Sequence, residues 1–367
     1  MLMADMGADV IKVENPDAPD YIRFFPPAVE NDSAFYLSLN RSKRSMAINF
    51  SSSEGKEIIF RLAQNADIIM EQFRPGVMSK MGLGYDDLKK INPKIIYVSI
   101  TGYGQDGPYA QQAGHDLNYI GYSGLLATTG EKGKQPVIPG GQVADVAAGA
   151  YMAMNAALAA VYAREKNGQG QHVDVAMLDC VLPLTTLQTA QYFATKENPE
   201  RGTFALSGGL ANYNVYECAD GKYVALGALE PKFWEQFCDL VKKPEWKIRM
   251  LDSGDDMLNL KKEVAGVFKI KTRTEWLQIS GGKDVCLTPV LDISELENDA
   301  QIQHRKMIVE NESGFKSIGI PLKFSQTPSQ VAWQAPKLGE DTVSVLKELE
   351  FSEPEIAVLL KSKVIFE

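Results

Sequence analysis

At 367 residues the chain is too long for one small core, and two domains are the natural expectation. Hydrophobic residues make up 45% and charged residues 23%, the balance of a packed, folded protein rather than a disordered one. A net charge of −9 excludes bulk nucleic-acid binding through a dominant basic face, while leaving room for a local basic pocket.

Cys180, Cys218, Cys238 and Cys286 lie far apart with no Cys-x-x-Cys pair. That spacing argues against a disulfide framework or a structural metal, and reduced cytoplasmic thiols are the expectation. No signal peptide is recognisable. No unbroken apolar run reaches bilayer length, so no membrane span is expected.

In chain order, Ala8–Glu14 reads as a buried strand ending at the Asn15-Pro16 turn. Met1–Gly7 reads as the tail of a helix, so a parallel sheet here would lack its first strand. Residues 15–40 show no period and read as a long loop. Met46–Phe50 is a strand, and Ser51 with Glu54 has capping-box spacing before a helix over Gly55–Asn65. A strand at Asp67–Met70, a helix at Tyr85–Ile91 and a strand at Ile95–Ile100 follow. This alternation implies a parallel α/β sheet.

Ala144–Asn167 is the longest helical pattern, rich in alanine and closed by the turn Asn167-Gly-Gln-Gly170. A strand over Gln171–Met177 and a helix over Asp179–Tyr192 come next, then a loop containing the glycine hinge Ser207-Gly-Gly209. From Gly221 the texture changes. A strand at Lys222–Ala228, a helix opened by Glu230-Pro231, and helices near 259–269 and 273–281 suggest a smaller domain. Short strands near 307–324 and two terminal helices return to the first domain. The expected organisation is therefore a large domain over 1–195, a linker over 196–220, a small domain over 221–305, and a C-terminal return over 306–367.

Two groups of residues stand out chemically. Arg41, Lys43 and Arg44 cluster on an acidic chain, and Arg74 sits in a turn after a strand, where α/β folds bind ligands. They suit phosphates, though a solvated loop before a strand is the plainer explanation of such a cluster. The other group is centred on the triplet Gly114-His115-Asp116, which follows the glycine-rich loop Thr101-Gly-Tyr-Gly-Gln-Asp-Gly-Pro108 and uses one of only three His in the chain. Asp145 follows a second turn, Pro139-Gly-Gly-Gln142. An imidazole and a carboxylate delivered by two turns can carry protons in one site. Equally, His115 can be an ordinary loop residue and Asp145 a first-turn helix residue.

Several segments together resemble the family III CoA-transferase superfamily, the group that includes carnitine and bile-acid CoA-transferases. They are residues 40–45 (NRSKRS), 71–77 (EQFRPGV), 101–109 (TGYGQDGPY), 167–177 (NGQGQHVDVAM) and 285–291 (VCLTPVL). Residues 114–120 (GHDLNYI), 143–149 (VADVAAG) and 227–233 (GALEPKF) are similar to its alpha-methylacyl-CoA racemase branch. The resemblance covers essentially the whole chain.

It implies a Rossmann-like parallel-sheet large domain plus a smaller α+β domain, and an interlocked homodimer. It implies an acyl-CoA thioester substrate, no other cofactor and no metal. In the racemase branch, His115 and Asp145 would face opposite sides of the substrate α-carbon and Glu230 would hydrogen-bond His115. Backbone N–H groups near Asp116 would receive an enolate oxygen. In the transferase branch Asp145 would be the nucleophile, and the position of His115 is usually not His. Family members also begin with a strand and a Gly-Pro loop before the point where this chain starts, on the border of the CoA site. A CoA-binding relic without catalysis is the third expectation.

Overall fold

The computed structural model describes residues 1–29, 31–331 and 334–367, which group into two compact units. The first unit holds Met1–Gln111, Ala150–Ala176 and Glu297–Glu367; the second holds Gln112–Gly149 and Met177–Leu296. This partition differs from the expected one. Residues 112–149 and 177–195, read as large-domain sequence, group with 196–296, because the chain passes back and forth between the two cores.

The first unit contains two three-stranded sheets rather than one continuous sheet. In one, Ile11–Glu14 runs parallel to Arg44–Ile48, and Ile365–Phe366 pairs antiparallel on its other side. Ile58, Val345, Leu346 and Ile356 bury its apolar residues Met46 and Ile48. The other sheet is wholly parallel, in the order Ile68–Glu71, Ile96–Thr101, Gln171–Ala176. Helices Ser53–Asn65 and Tyr85–Ile91 supply Ala63 and Leu88 to a cluster with Tyr97. Helix Tyr151–Asn167 packs on Ile96–Thr101 and Gln171–Ala176. The approach into the last strand is close: a Cβ on Gly170 would lie 2.0 Å from the Ile95 carbonyl oxygen, so only glycine fits.

The second unit is built on an antiparallel sheet, Leu287–Pro289, Tyr223–Gly227 and Tyr213–Glu217. Helices Pro231–Leu240, Gly254–Phe268 and Arg273–Ser280 bring Trp234, Phe237, Phe268 and Trp276 into its core, where Trp246 joins them. Each buried indole N–H finds an acceptor: Trp234 on the Trp246 carbonyl, Trp246 on Glu263, Trp276 on the Phe268 carbonyl. The aromatic area is thus buried without orphaned polar atoms.

Several local expectations change. Residues 15–40 are not a bare loop: they include a 3₁₀ turn at Tyr21–Phe24 and a helix at Ala34–Asn40 capped by Ser33. The cap of the next helix is Ser52, whose Oγ accepts from the Gly55 N–H at 2.9 Å, one residue later than the sequence pattern suggests. Pro183 divides the expected helix 179–192 into Met177–Val181, a 3₁₀ turn and Thr186–Thr195, since its ring cannot donate to the ladder. Ser207-Gly-Gly209 is a tight turn rather than a hinge: Gly208 has φ +89, and a Cβ on Gly209 would meet the Thr203 carbonyl oxygen at 2.2 Å. The short strand Ile365–Phe366 has no periodic signal in the sequence.

The long alanine-rich helix also differs. Val143–Ala150 is a π-helix, and the regular α-helix begins at Tyr151. Taken together, Val143–Asn167 is 25 residues and contains an 18-residue window of mean hydropathy 1.4, long and apolar enough by length and composition to cross a membrane, with 28% of that window buried. A search for unbroken apolar runs overlooks it because alanine and glycine carry the pattern.

Candidate active site

The residues that carry chemistry divide between the units. His115, Asp116, Asp145 and Glu230 belong to the second; Arg41, Lys43, Arg44 and Arg74 belong to the first.

His115 occupies the position before helix Asp116–Tyr122, in extended backbone with φ −130. Its own N–H donates to Asn118 Oδ1 at 3.0 Å, which fixes the corner, and its imidazole is left exposed. Gly114 is held from the other side, its carbonyl accepting from the Tyr119 hydroxyl at 2.5 Å. One residue on, the Asp116 carboxylate accepts from the Ala144 N–H at 2.6 Å and the Asp145 N–H at 3.1 Å. Asp116 thus satisfies two donors at the start of the π-helix, where the first turn has no intrahelical acceptors. The wide π turn is uncommon and often marks functional sites.

Asp145 lies in this first turn. Its carboxyl is pushed above the usual carboxylate range, first by partial burial, then by the like charge of Asp116, with the His115 imidazole pulling in the opposite direction. Solvent still reaches the side chain. The structure therefore brings His115, Asp116 and Asp145 into one electrostatic group. Beside the backbone role expected near Asp116, its side chain is an acceptor that positions Asp145 and a like charge that helps raise its pKa.

Glu230 is placed differently. It sits exposed immediately before helix Pro231–Leu240, and its charge acts on Cys286, which it helps push up after burial. Within one chain it forms no hydrogen bond with His115 among the described residues, so the pairing implied by the resemblance is not made there.

The basic cluster needs the largest correction. Arg41 is buried, and its guanidinium is consumed by Asp5 at 2.9 Å, Ser317 Oγ at 2.8 Å and the Ile318 carbonyl at 2.6 Å. Arg44 forks between Asp9 at 2.5 Å and Glu348 at 2.7 Å. Lys43 donates to Asn40 Oδ1 at 2.7 Å, and burial, followed by repulsion from Lys12, lowers its pKa to about 8. A buried guanidinium must be paired, and that need takes Arg41 out of ligand binding. The three residues nonetheless line a cavity of 1310 Å³ in the first unit, together with Lys306, Lys323 and Phe324. Arg74 is not part of that lining. It stands exposed in the turn after Ile68–Glu71, with no side-chain partner among the described residues. No cluster of three or more metal-ligating side chains occurs among the described residues.

Comparison with known proteins places these features in context. The model for CoA-transferase family III matches residues 1–342. The chain is 34% identical to human alpha-methylacyl-CoA racemase over 100% of its own length and 92% of the relative's. It is 35% identical to the succinate–glutarate CoA-transferase of Agrobacterium fabrum, covering 96% of this chain and 91% of that one. The crystal structure of a CAIB/BAIF family protein from Brucella suis superposes with a TM-score of 0.82 at 31% identity, covering 95% and 93% of the two chains.

Two outcomes follow from the geometry. Arg41→Ala leaves the buried Asp5 carboxylate without its guanidinium counter-charge, with only the Ser42 hydroxyl still donating to it, and unfolding by denaturant should show a loss of about 3–5 kcal/mol, whereas an exposed phosphate ligand would show almost none. Asp116→Asn keeps an acceptor for the two N–H groups but removes the like charge. Carbon-detected NMR titration of Asp145 should then give a lower midpoint than in the wild type, and an unchanged midpoint would contradict the proposed coupling.

Proposed function

Because the chain belongs to CoA-transferase family III, we propose that it interconverts the (2R) and (2S) forms of 2-methylacyl-CoA thioesters. The observation that carries the reading is the pairing of an exposed imidazole, His115, with a carboxyl whose pKa is raised, Asp145. Inversion at an α-carbon removes a proton from one face and returns one to the other. That demands two groups able to hold and release a proton near neutral pH. Imidazole does so with little tuning. A carboxyl needs its proton held more firmly, and partial burial and Asp116 both act in that direction. His115 and Asp145 would exchange roles with the direction of reaction, and backbone N–H groups near Asp116 would receive the enolate oxygen. Arg74 would hold a phosphate of the CoA moiety, which enters as part of the substrate, and the cavity beside Arg41, Lys43 and Arg44 has room for more of it.

CoA transfer between carboxylic acids is the second reading. It is favoured by relatives that are transferases at similar identity, and by the solvent access of Asp145, which an acyl-enzyme needs. The imidazole of His115 favours the first, since nucleophilic attack by Asp145 has no need of a second base.

We further propose that the protein works as an interlocked homodimer. Helix Tyr151–Asn167 exposes Tyr151, Met152, Leu158 and Tyr162. Apolar exposure on this scale marks a surface built for a partner. The pairing of Glu230 with His115 would then be made across the two copies.

In deuterated water, NMR should show rapid α-deuteration of a 2-methylacyl-CoA by the wild type without an acceptor acid. His115→Ala and Asp145→Asn should each lower racemisation by roughly 10²–10⁴-fold, with exchange from one enantiomer surviving in each. Absence of deuteration together with a hydroxylamine-trapped adduct at Asp145 would establish the transferase instead. Light scattering should find the dimer mass down to the lowest measurable concentration, because interlocked chains separate only by unfolding. A folded monomer would refute the dimer.

A further inference from the structure

Asn212 carries a polar atom that is buried without a partner. The residue is 1% exposed, and its side-chain Oδ1 meets no donor among the described residues. The other half of the amide is in use: Nδ2 donates to the Ala228 carbonyl at 2.8 Å. A carbonyl only accepts, so it is the nitrogen that must face it. The Asn212 carbonyl in turn accepts from the Ala228 N–H at 2.8 Å. This rung follows the antiparallel pairing of Tyr213 with Gly227, with a side-chain amide in the place of a backbone donor. Asn212 therefore holds both backbone polar groups of Ala228.

Ala228 opens the corner between strand Tyr223–Gly227 and helix Pro231–Leu240, and Glu230 is the residue just before that helix. The far side of the corner is set by the helix. The Glu230 carbonyl accepts from the Phe233 N–H at 3.0 Å and the Trp234 N–H at 3.2 Å, and Trp234 is buried in the core. The near side is set by Asn212, whose own neighbour is held twice: the Ala211 carbonyl accepts from the Tyr216 hydroxyl at 2.6 Å, and its N–H donates to Met257 Sδ at 3.2 Å. Leu229 bridges the two sides in a tight turn, its N–H on the Gly227 carbonyl at 2.9 Å. The Glu230 side chain does not cap its own helix, and Lys232 is turned over the Phe233 ring at 4.4 Å, so the backbone of the corner sets the direction of the carboxylate. Asn212 thus satisfies one acceptor, the Ala228 carbonyl, and orphans another, its own Oδ1. Stability gains little from that exchange; what it secures is geometry.

We propose that Asn212 is a positioning residue for Glu230: its amide fixes the corner from which the Glu230 carboxylate reaches His115 of the second copy. Asn212 takes this role within the racemase reading and its pairing of Glu230 with His115 across two copies. A carboxylate orients an imidazole only while its oxygen stays within hydrogen-bond reach, so freedom at Ala228 becomes lost alignment at His115. Asn212 touches no reacting atom. It acts on turnover rather than on CoA binding, because the corner carries no group assigned to the CoA moiety.

Asn212→Leu exchanges one orphaned acceptor, Oδ1, for another, the Ala228 carbonyl, at nearly constant volume, so the fold should persist with little change in stability. With a 2-methylacyl-CoA in deuterated water, kcat for α-proton exchange should fall about ten- to a hundredfold while KM keeps its wild-type value. Hydrogen exchange on the intact protein should show the Leu229 amide losing protection in Asn212→Leu and keeping it in Glu230→Gln. On a Glu230→Gln background, Asn212→Leu should lower kcat no further, since nothing is left to position; a merely structural residue would add its own loss. Asn212→Ser, whose hydroxyl is too short to reach the carbonyl, gives the same comparison where leucine is not accommodated. Wild-type kcat in these variants, unchanged Leu229 protection, or a full further loss on the Glu230→Gln background overturns the assignment while leaving the racemase reading intact. If the wild type shows no α-deuteration, or if Glu230→Gln turns over as the wild type does, the racemase reading or its Glu230 pairing fails, and the role of Asn212 falls with it.

Discussion

Two hydrogen bonds to one carboxylate organise the candidate site. Asp116 reaches across from the Gly-His-Asp corner and accepts the N–H groups of Ala144 and Asp145. Those donors lie at a helix start, where the backbone supplies no acceptor, so a charged oxygen there is strongly favoured. The same contact brings a negative charge beside Asp145. Structure and acidity are therefore set by one interaction: the carboxylate that anchors the π-helix also makes its neighbour a better proton holder. A helix start alone would draw the Asp145 pKa down, and it is the combination of partial burial with Asp116 that reverses the sign.

The cations of the first unit are sorted by a different constraint. A guanidinium cannot shed its proton, so burial obliges it to find carboxylates and carbonyls. Arg41 meets this with Asp5, Ser317 and Ile318, and Arg44 with Asp9 and Glu348. Lys43 is able to lower its pKa instead, which leaves it adaptable inside the cavity it lines. Arg74, on an exposed turn, is under no such obligation. Three charges that look alike in sequence are thus a structural tie, a surface fork and a tunable amine.

The loops at the C-terminal ends of the parallel strands share a common design. Each strand ends in a polar side chain that turns back to hold the loop beyond it or beside it: Glu71 holds Phe73, Thr101 holds Gly104 and Asp174 holds Gln105. Gln111 then joins the two loops by donating to the Pro75 carbonyl at 3.1 Å. Parallel strands expose unpaired backbone at this edge, and side-chain acceptors are the available means of ordering it. An edge held in this way is suited to receive a ligand without first paying a large ordering entropy.

Sequence alone determined the class of the chain, the alternation of strand and helix, and membership of CoA-transferase family III. Those features are local: periodicity, turn residues and contiguous motifs survive without knowledge of what packs where. Tertiary structure decided the rest. The division into units does not follow chain order, because residues 112–149 leave one core and join another. The π-helix around Asp145 has the same alanine-rich pattern as the α-helix after it, so nothing in the pattern separates them. The fate of Arg41 turned on Asp5 and Ile318, and the capping role of Asp116 on Ala144. Each joins residues far apart in the chain, and only the fold fixes the distance between an acceptor and its donor.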